Sequence, residues 1–201
     1  MRFFILTVAG LVGFASPLTG MADPAESDEG RTGLAALEQF VSVAKLAPGE
    51  EVLGMAGFYG EPQPKKWLIL SADPVTPGIL HESVFVDGVV LAERTFRRLP
   101  DQNVPEIRLH REGILIDSDK AFEVVAMVAR SEQRTFQYAH FQLRIREEGS
   151  EPIWMVSLLN KAQVPLGTLY VSAKTGEIVR RAWIKPASPP KVEVDDSISL
   201  R

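Results

Sequence analysis

The residues that could carry acid–base, nucleophilic or metal chemistry are few and dispersed. Histidine occurs three times, as His81, His110 and His140. None lies within three to five residues of another, so no helical or turn pair offers two imidazoles to one metal, although ligands need not be sequence neighbours. His81, followed by Glu82, falls in a strand-like run, and His140 lies on the polar face of another, so surface or packing histidines are the expectation. Nucleophilic hydrolysis asks for a serine on a sharp, glycine-flanked turn within reach of a base. No Gly-x-Ser-x-Gly occurs, and Ser71, Ser83 and Ser157 lie inside strand-like runs. Glycoside hydrolysis asks for two opposed carboxylates, whereas Glu50-Glu51 and Glu147-Glu148 sit at strand ends and turns, where carboxylates are solvated. Gly54, Gly57 and Gly60 lack both the phosphate-cradling spacing and a following helix. No catalytic, cofactor-binding or metal-ligating residue is assigned, and an enzyme with a dispersed site, such as a hydrolase, ranks last.

The basic residues gather locally, as Arg94, Arg97 and Arg98, as Arg144 and Arg146, and as Arg180 and Arg181. On adjacent strands they would form a patch able to grip a carboxylate or an anionic polymer, but charge that protects strand edges from aggregation is the commoner reason for such placement. The run 136–146 alternates most clearly. Ala139, Phe141, Leu143 and Ile145 share one face and Tyr138, His140, Gln142, Arg144 and Arg146 the other, the period-two mark of a half-buried antiparallel strand. Tyr138, His140, Arg144 and Arg146 are therefore the candidate partner-binding residues.

The elements that would position them follow from periodicity. Leu34, Leu37, Phe40, Val41 and Ala44 recur at helical spacing and predict a helix over 32–46, ended by Pro48-Gly49. Phe122, Val125, Ala126 and Ala129 predict a second over 119–130, with Ser118 or Asp117 as its N-cap. Strand-like runs follow each helix, at 52–59, 67–72, 79–86 and 89–96, then at 136–146, 153–159, 168–172 and 177–184. Glycines in Asp87-Gly88, Glu148-Gly149-Ser150 and Lys174-Thr175-Gly176 suit tight turns. The two series overlay, Trp67 to Asp73 on Trp154 to Asn160 and Val84 to Val90 on Val171 to Val179. The expected fold is thus α+β, two similar helix-plus-antiparallel-sheet units over 32–100 and 101–184.

The chain of 201 residues has 45% hydrophobic and 24% charged residues, enough to bury a core. Residues 1–22 read as a signal peptide. Met1-Arg2 supplies charge, the run 3–15 is apolar but shorter than the ~20 residues a spanning helix needs, and Gly20-Met21-Ala22 offers a small-x-small cleavage site before Asp23. A retained anchor is the alternative. The absence of cysteine removes disulfides, thiolate ligands and a cysteine-borne lipid. Without residues 1–22 the chain carries 21 basic against 26 acidic residues, a charge of −5 that argues against general nucleic-acid binding. Residues 23–31 read as a flexible acidic linker and 185–201, with Pro186, Pro189 and Pro190, as a flexible Pro-rich tail.

The segment 114–183 resembles a PepSY-type domain, of PepSY/cystatin-like fold. The likeness is carried by Asp117-Ser118-Asp119-Lys120-Ala121-Phe122, by Trp154-Met155-Val156, and by the closing run from Leu169 to Val179 with its Thr-Gly-Glu turn; Ser172 stands where that family has aspartate. The resemblance implies a non-catalytic domain of exported bacterial proteins, inhibitory or chaperone-like towards secreted peptidases. The expected function is an exported, periplasmic or secreted module binding a protein or peptide, by strand addition at an open sheet edge. A structural component of an envelope complex is the alternative. No cofactor and no nucleic-acid partner are expected.

Overall fold

The computed structural model describes residues 31–44, 46, 51–99 and 104–185. The signal segment (1–22), the linker apart from Arg31, and the tail apart from Lys185 lie outside the described residues. Helix α1, Gly33–Val43, buries Leu34, Ala36, Leu37 and Phe40 on one stripe. Four strands follow: β1 (Glu51–Gly60), β2 (Trp67–Ala72), β3 (Ile79–Val86) and β4 (Val89–Arg97). Helix α2, Ser118–Ser131, starts at the N-cap Asp117 and buries Ala121, Val125 and Ala129. Then come β5 (Tyr138–Arg144), β6 (Ile153–Leu159), β7 (Pro165–Ser172) and β8 (Ile178–Trp183).

All eight strands join a single antiparallel sheet in the order β4-β3-β2-β1-β5-β6-β7-β8. This corrects the expectation of two helix-plus-sheet units: the described residues form mostly one sheet, with two short α-helices of 11 and 14 residues laid on it. The join is β1 against β5, from Gly54 opposite Arg144 to Gly60 opposite Ala139. Two separate four-stranded sheets would each leave a long row of unpaired N–H and C=O groups on β1 and β5. Pairing them satisfies both rows and lets one buried cluster run from Leu37 and Phe40 to Val125 and Leu169.

At its centre Trp67 and Trp154, 1% and 0% exposed, meet edge to face at 6.2 Å. Each indole N–H finds a backbone carbonyl just ahead of a helix. Trp67 Nε1 donates to Arg31 at 2.9 Å and Trp154 Nε1 to Ile116 at 2.8 Å. These bonds satisfy the polar ends of two large side chains that otherwise contribute only apolar area.

The join also corrects the role expected of the 136–146 strand. β5 is hydrogen-bonded to β1 on one side and β6 on the other, so it has no open edge to offer a partner. The sheet's edges are β4 and β8, and both are guarded. A bulge at Leu91 interrupts β4, which also carries Glu93, Arg94 and Arg97. A bulge at Val179 interrupts β8, which carries Arg180 and Arg181. Bulges and charge are how natural sheets discourage edge pairing.

Candidate binding face

Both helices pack on one face of the sheet, α1 over β2–β4 and α2 over β6 and β7. The other face carries the alternate residues of every strand, and neither helix covers it. Near its middle β1 bulges between Gly57 and Gly60, so that Phe58 and Tyr59 both stand opposite the single residue His140. Tyr59 adopts φ +55° to make this possible. The imidazole of His140 meets the Phe58 ring at 5.2 Å and the Tyr59 ring at 4.6 Å, each near perpendicular, and Tyr138 meets Tyr59 at 5.9 Å. Burial lowers the His140 pKa from its ordinary value by disfavouring the imidazolium, and its Nε2 is enclosed without a hydrogen-bond partner.

Three cavities lie in line across this face. The first, of 540 Å³, is lined by Phe58, Tyr59, Gln63, Lys66, Leu68 and Val84, among others. The second, of 390 Å³, shares Phe58 and Leu68 with it and continues over Leu70, Phe96 and Gln142 to Val104 and Pro105. Its floor is low because β1 is built of small residues there. A Cβ on Gly54 would stand 2.9 Å from Pro105 Cγ, so only glycine lets the 104–107 segment cross so close. The third, of 230 Å³, lies on the far side of that segment and is lined by Val104–Ile107 and by Arg144, Ile145, Arg146 and Glu147. Beside the second cavity Arg94 Nε pairs with Glu82 at 2.8 Å, which raises the guanidinium's pKa.

The four candidate residues are therefore divided. Tyr138 and His140 belong to the aromatic cluster at one end of the line, and Arg144 and Arg146 line the cavity at the other. Arg144 is 7% exposed; burial, and next the charge of Arg146, lower its pKa, with Tyr170 opposing. Phe58, Tyr59, Leu68 and Gln63 were not singled out from sequence. The doublet Phe58-Tyr59 before a glycine was the visible signal, but only the bulge turns both rings to one face.

Elsewhere, His81 Nε2 lies 3.2 Å from Asp73 Oδ2 and its Nδ1 3.0 Å from Thr95 Oγ1, a carboxylate–imidazole–hydroxyl chain that the strand register assembles. Its evident role is the β2–β3 turn, where Asp73 Oδ1 accepts from the backbone N–H groups of Val75 and Thr76. Those two bonds, Thr76 foremost, and then His81 hold the Asp73 carboxyl below its usual pKa. The three cavities of the open face do not include His81. His110 lines a separate 380 Å³ cavity beside α1, whose rim carries the Arg111–Glu38 and Arg108–Glu51 ion pairs, both 2.8 Å. Among the described residues no group of three histidines or acids is placed to hold a metal ion.

Fold and site define an antiparallel-sheet protein with one helix-covered face and one open, cavity-lined face. The fold is similar to that in the crystal structure of a "putative lipoprotein" from Clostridium difficile 630, with a TM-score of 0.52 at 12% identity, covering 78% of this chain and 95% of that one. At that identity the likeness is one of fold. No protein-family model matches the chain. No curated protein matches it either.

Proposed function

We propose that the protein is a non-catalytic binding module that receives an extended apolar peptide on the open face of its sheet. The observation that carries this is the line of cavities joined through Phe58 and Leu68 and then through Val104 and Pro105. Strand addition to an edge is displaced from the reading, because β5 is internal and β4 and β8 are bulged and charged. Phe58 and Tyr59 are 45% and 49% exposed, far more than large aromatic residues need be, and a ligand laid between them would bury them. Gln63, in the wall of the first cavity, is 8% exposed and has an Nε2 without a partner. A peptide main chain supplies carbonyls that suit such an amide, whereas an alkyl chain does not.

An exported setting accords with this role. It is supported by the order of charge, apolar run and small residues in 1–22 and by the description of the fold neighbour as a lipoprotein. The inhibitory or chaperone-like action that the PepSY resemblance implies would be exercised through the same face.

The test is calorimetric titration of N-acetylated apolar hexapeptides, rich in leucine, valine and phenylalanine, into wild type, Phe58→Ala and Tyr138→Ala. Burying an aromatic or leucine side chain stabilises a complex by about 1.5–3 kcal/mol, and ~1.4 kcal/mol is tenfold in affinity. Phe58→Ala should lose about tenfold or more and Tyr138→Ala should weaken binding, with melting temperatures unchanged. His81→Ala and His110→Ala should bind as wild type. Affinity unaffected by Phe58→Ala, or lost with either histidine at unchanged stability, would overturn the assignment.

A further inference from the structure

Resting on the open-face reading, we infer that Gln63 is the specificity-determining residue of the first cavity: its side-chain amide donates to a main-chain carbonyl of the bound peptide, and Ser118 sets the direction of that donation. Gln63 lies in the loop between β1 and β2, which folds back on the end of β1. Its neighbour Pro64 lies so close to that strand that a Cβ on Gly57 would stand 2.5 Å from Pro64 Cγ. The loop so held brings Gln63 into the cavity wall, where it is 8% exposed.

The orientation of the amide follows from where each proton goes. Ser118 Oγ accepts the backbone N–H of Gly33 at 2.8 Å, and its own proton goes to Gln63 Oε1 at 2.6 Å. Reversing the amide would set the Ser118 hydroxyl proton against an N–H, so the oxygen end belongs to Ser118 and the nitrogen end is left as a donor. That Nε2 is enclosed and has no partner. A buried donor without an acceptor destabilises the free protein, and a ligand that brings the acceptor removes that cost.

The cavity selects the kind of acceptor. Phe58, Tyr59, Leu68 and Val84 offer apolar surface to an apolar side chain. A peptide carries a neutral carbonyl beside every such side chain, whereas a hydrocarbon carries none. The new bond also completes a chain of donors, from Gly33 N–H to Ser118, from Ser118 to Gln63 and from Gln63 to the ligand. Each bond in such a chain polarises the next, so ligand binding and the common start of the two helices support one another.

The experiment is a thermodynamic cycle on the full chain. The N-acetylated apolar hexapeptides, and the same peptides with one backbone amide at a time replaced by an ester, are titrated into wild type, Gln63→Glu and Gln63→Met. An ester carbonyl is a weaker acceptor than an amide carbonyl. Gln63→Glu keeps an oxygen for Ser118 and removes the donor, and Gln63→Met removes both without adding charge. Each variant should bind the all-amide peptides about tenfold more weakly than wild type. At one ester position wild type should lose affinity severalfold while the two variants lose nothing further. Ser118→Ala, which leaves the amide free to turn, should shrink that coupling; an unchanged coupling would overturn the part given to Ser118. Independent effects of ester and substitution at every position, or unchanged affinity in both Gln63 variants, would overturn the role of Gln63 and leave the open-face reading standing. No binding of any hexapeptide by wild type would remove both.

Discussion

Ser118, the first residue of α2, accepts at its Oγ the backbone N–H of Gly33, the first residue of α1, at 2.8 Å. One position earlier, Asp117 Oδ1 accepts from Leu34 N–H at 2.8 Å and from Ser118 N–H at 2.6 Å. Thr32, the N-cap of α1, makes no side-chain cap bond of its own. The two helices therefore start at one place and share one set of caps. Each helix start has N–H groups with no intrahelical partner and a positive dipole end, so a carboxylate and a hydroxyl between them stabilise both. Ser118 Oγ also donates to Gln63 Oε1 at 2.6 Å, which ties this junction to a wall of the first open-face cavity.

Removing the shared hydroxyl should be costly. Ser118→Ala leaves the Gly33 N–H enclosed without its acceptor, a loss of about 1–3 kcal/mol. Thr32→Ala, which removes no cap bond, should change stability little. Urea unfolding of the two variants checks this; equal, small effects would show that the junction does not stabilise the fold.

The helix junction is also a steric one. A Cβ on Gly33 would stand 2.5 Å from Trp154 Cη2 and 3.2 Å from Trp67 Cη2. Gly33→Ala should cost about 1–3 kcal/mol by overpacking, and Trp154→Ala or Trp67→Ala about 3–5 kcal/mol by truncation. In the double variant Gly33→Ala/Trp154→Ala the clash with Trp154 disappears, so the combined loss should fall short of the sum of the single losses. Strict additivity in a thermal double-mutant cycle would contradict the contact.

The turn between β7 and β8 offers a backbone test. Gly176 has φ +79°, and its N–H donates to Ser172 O at 2.9 Å. A β-branched residue there is strained by about 1–3 kcal/mol. Gly176→Val should lower the melting temperature clearly, and the exposed Lys174→Ala should not. Equal, small shifts would mean that the turn does not require its left-handed residue.

His140 makes stability depend on pH with a defined sign. Its folded pKa lies below the unfolded value of ~6.5 because burial disfavours the imidazolium. Below that value the unfolded chain takes up a proton that the native ring resists, so stability falls as pH drops from neutrality through the folded pKa. His140→Gln should flatten the stability curve below about pH 6.5, as read by denaturation at a series of pH values. An unchanged slope would show that the ring is solvated.

The sequence alone determined the elements. The stripe Leu34, Leu37 and Phe40 and the alternation of Ala139, Phe141 and Leu143 are local periodicities, and helix and strands appear at them within a few residues. It also determined that Tyr138, His140 and Arg144 share a face, since side-chain direction in a strand alternates whatever its neighbours. What it left open was which strands meet. The pairing of Gly54 with Arg144 joins residues some ninety positions apart, and hydrogen-bonding capacity is the same for every strand, so no local pattern selects that partner. From that one pairing follow the single sheet in place of two units, the burial of β5 between neighbours, and the meeting of Trp67 with Trp154. The bulge that turns both Phe58 and Tyr59 towards His140 is likewise a property of register between strands. The open face and its cavities exist only once the helices have gathered on the other side, so only the tertiary structure could decide which face of the sheet is left open.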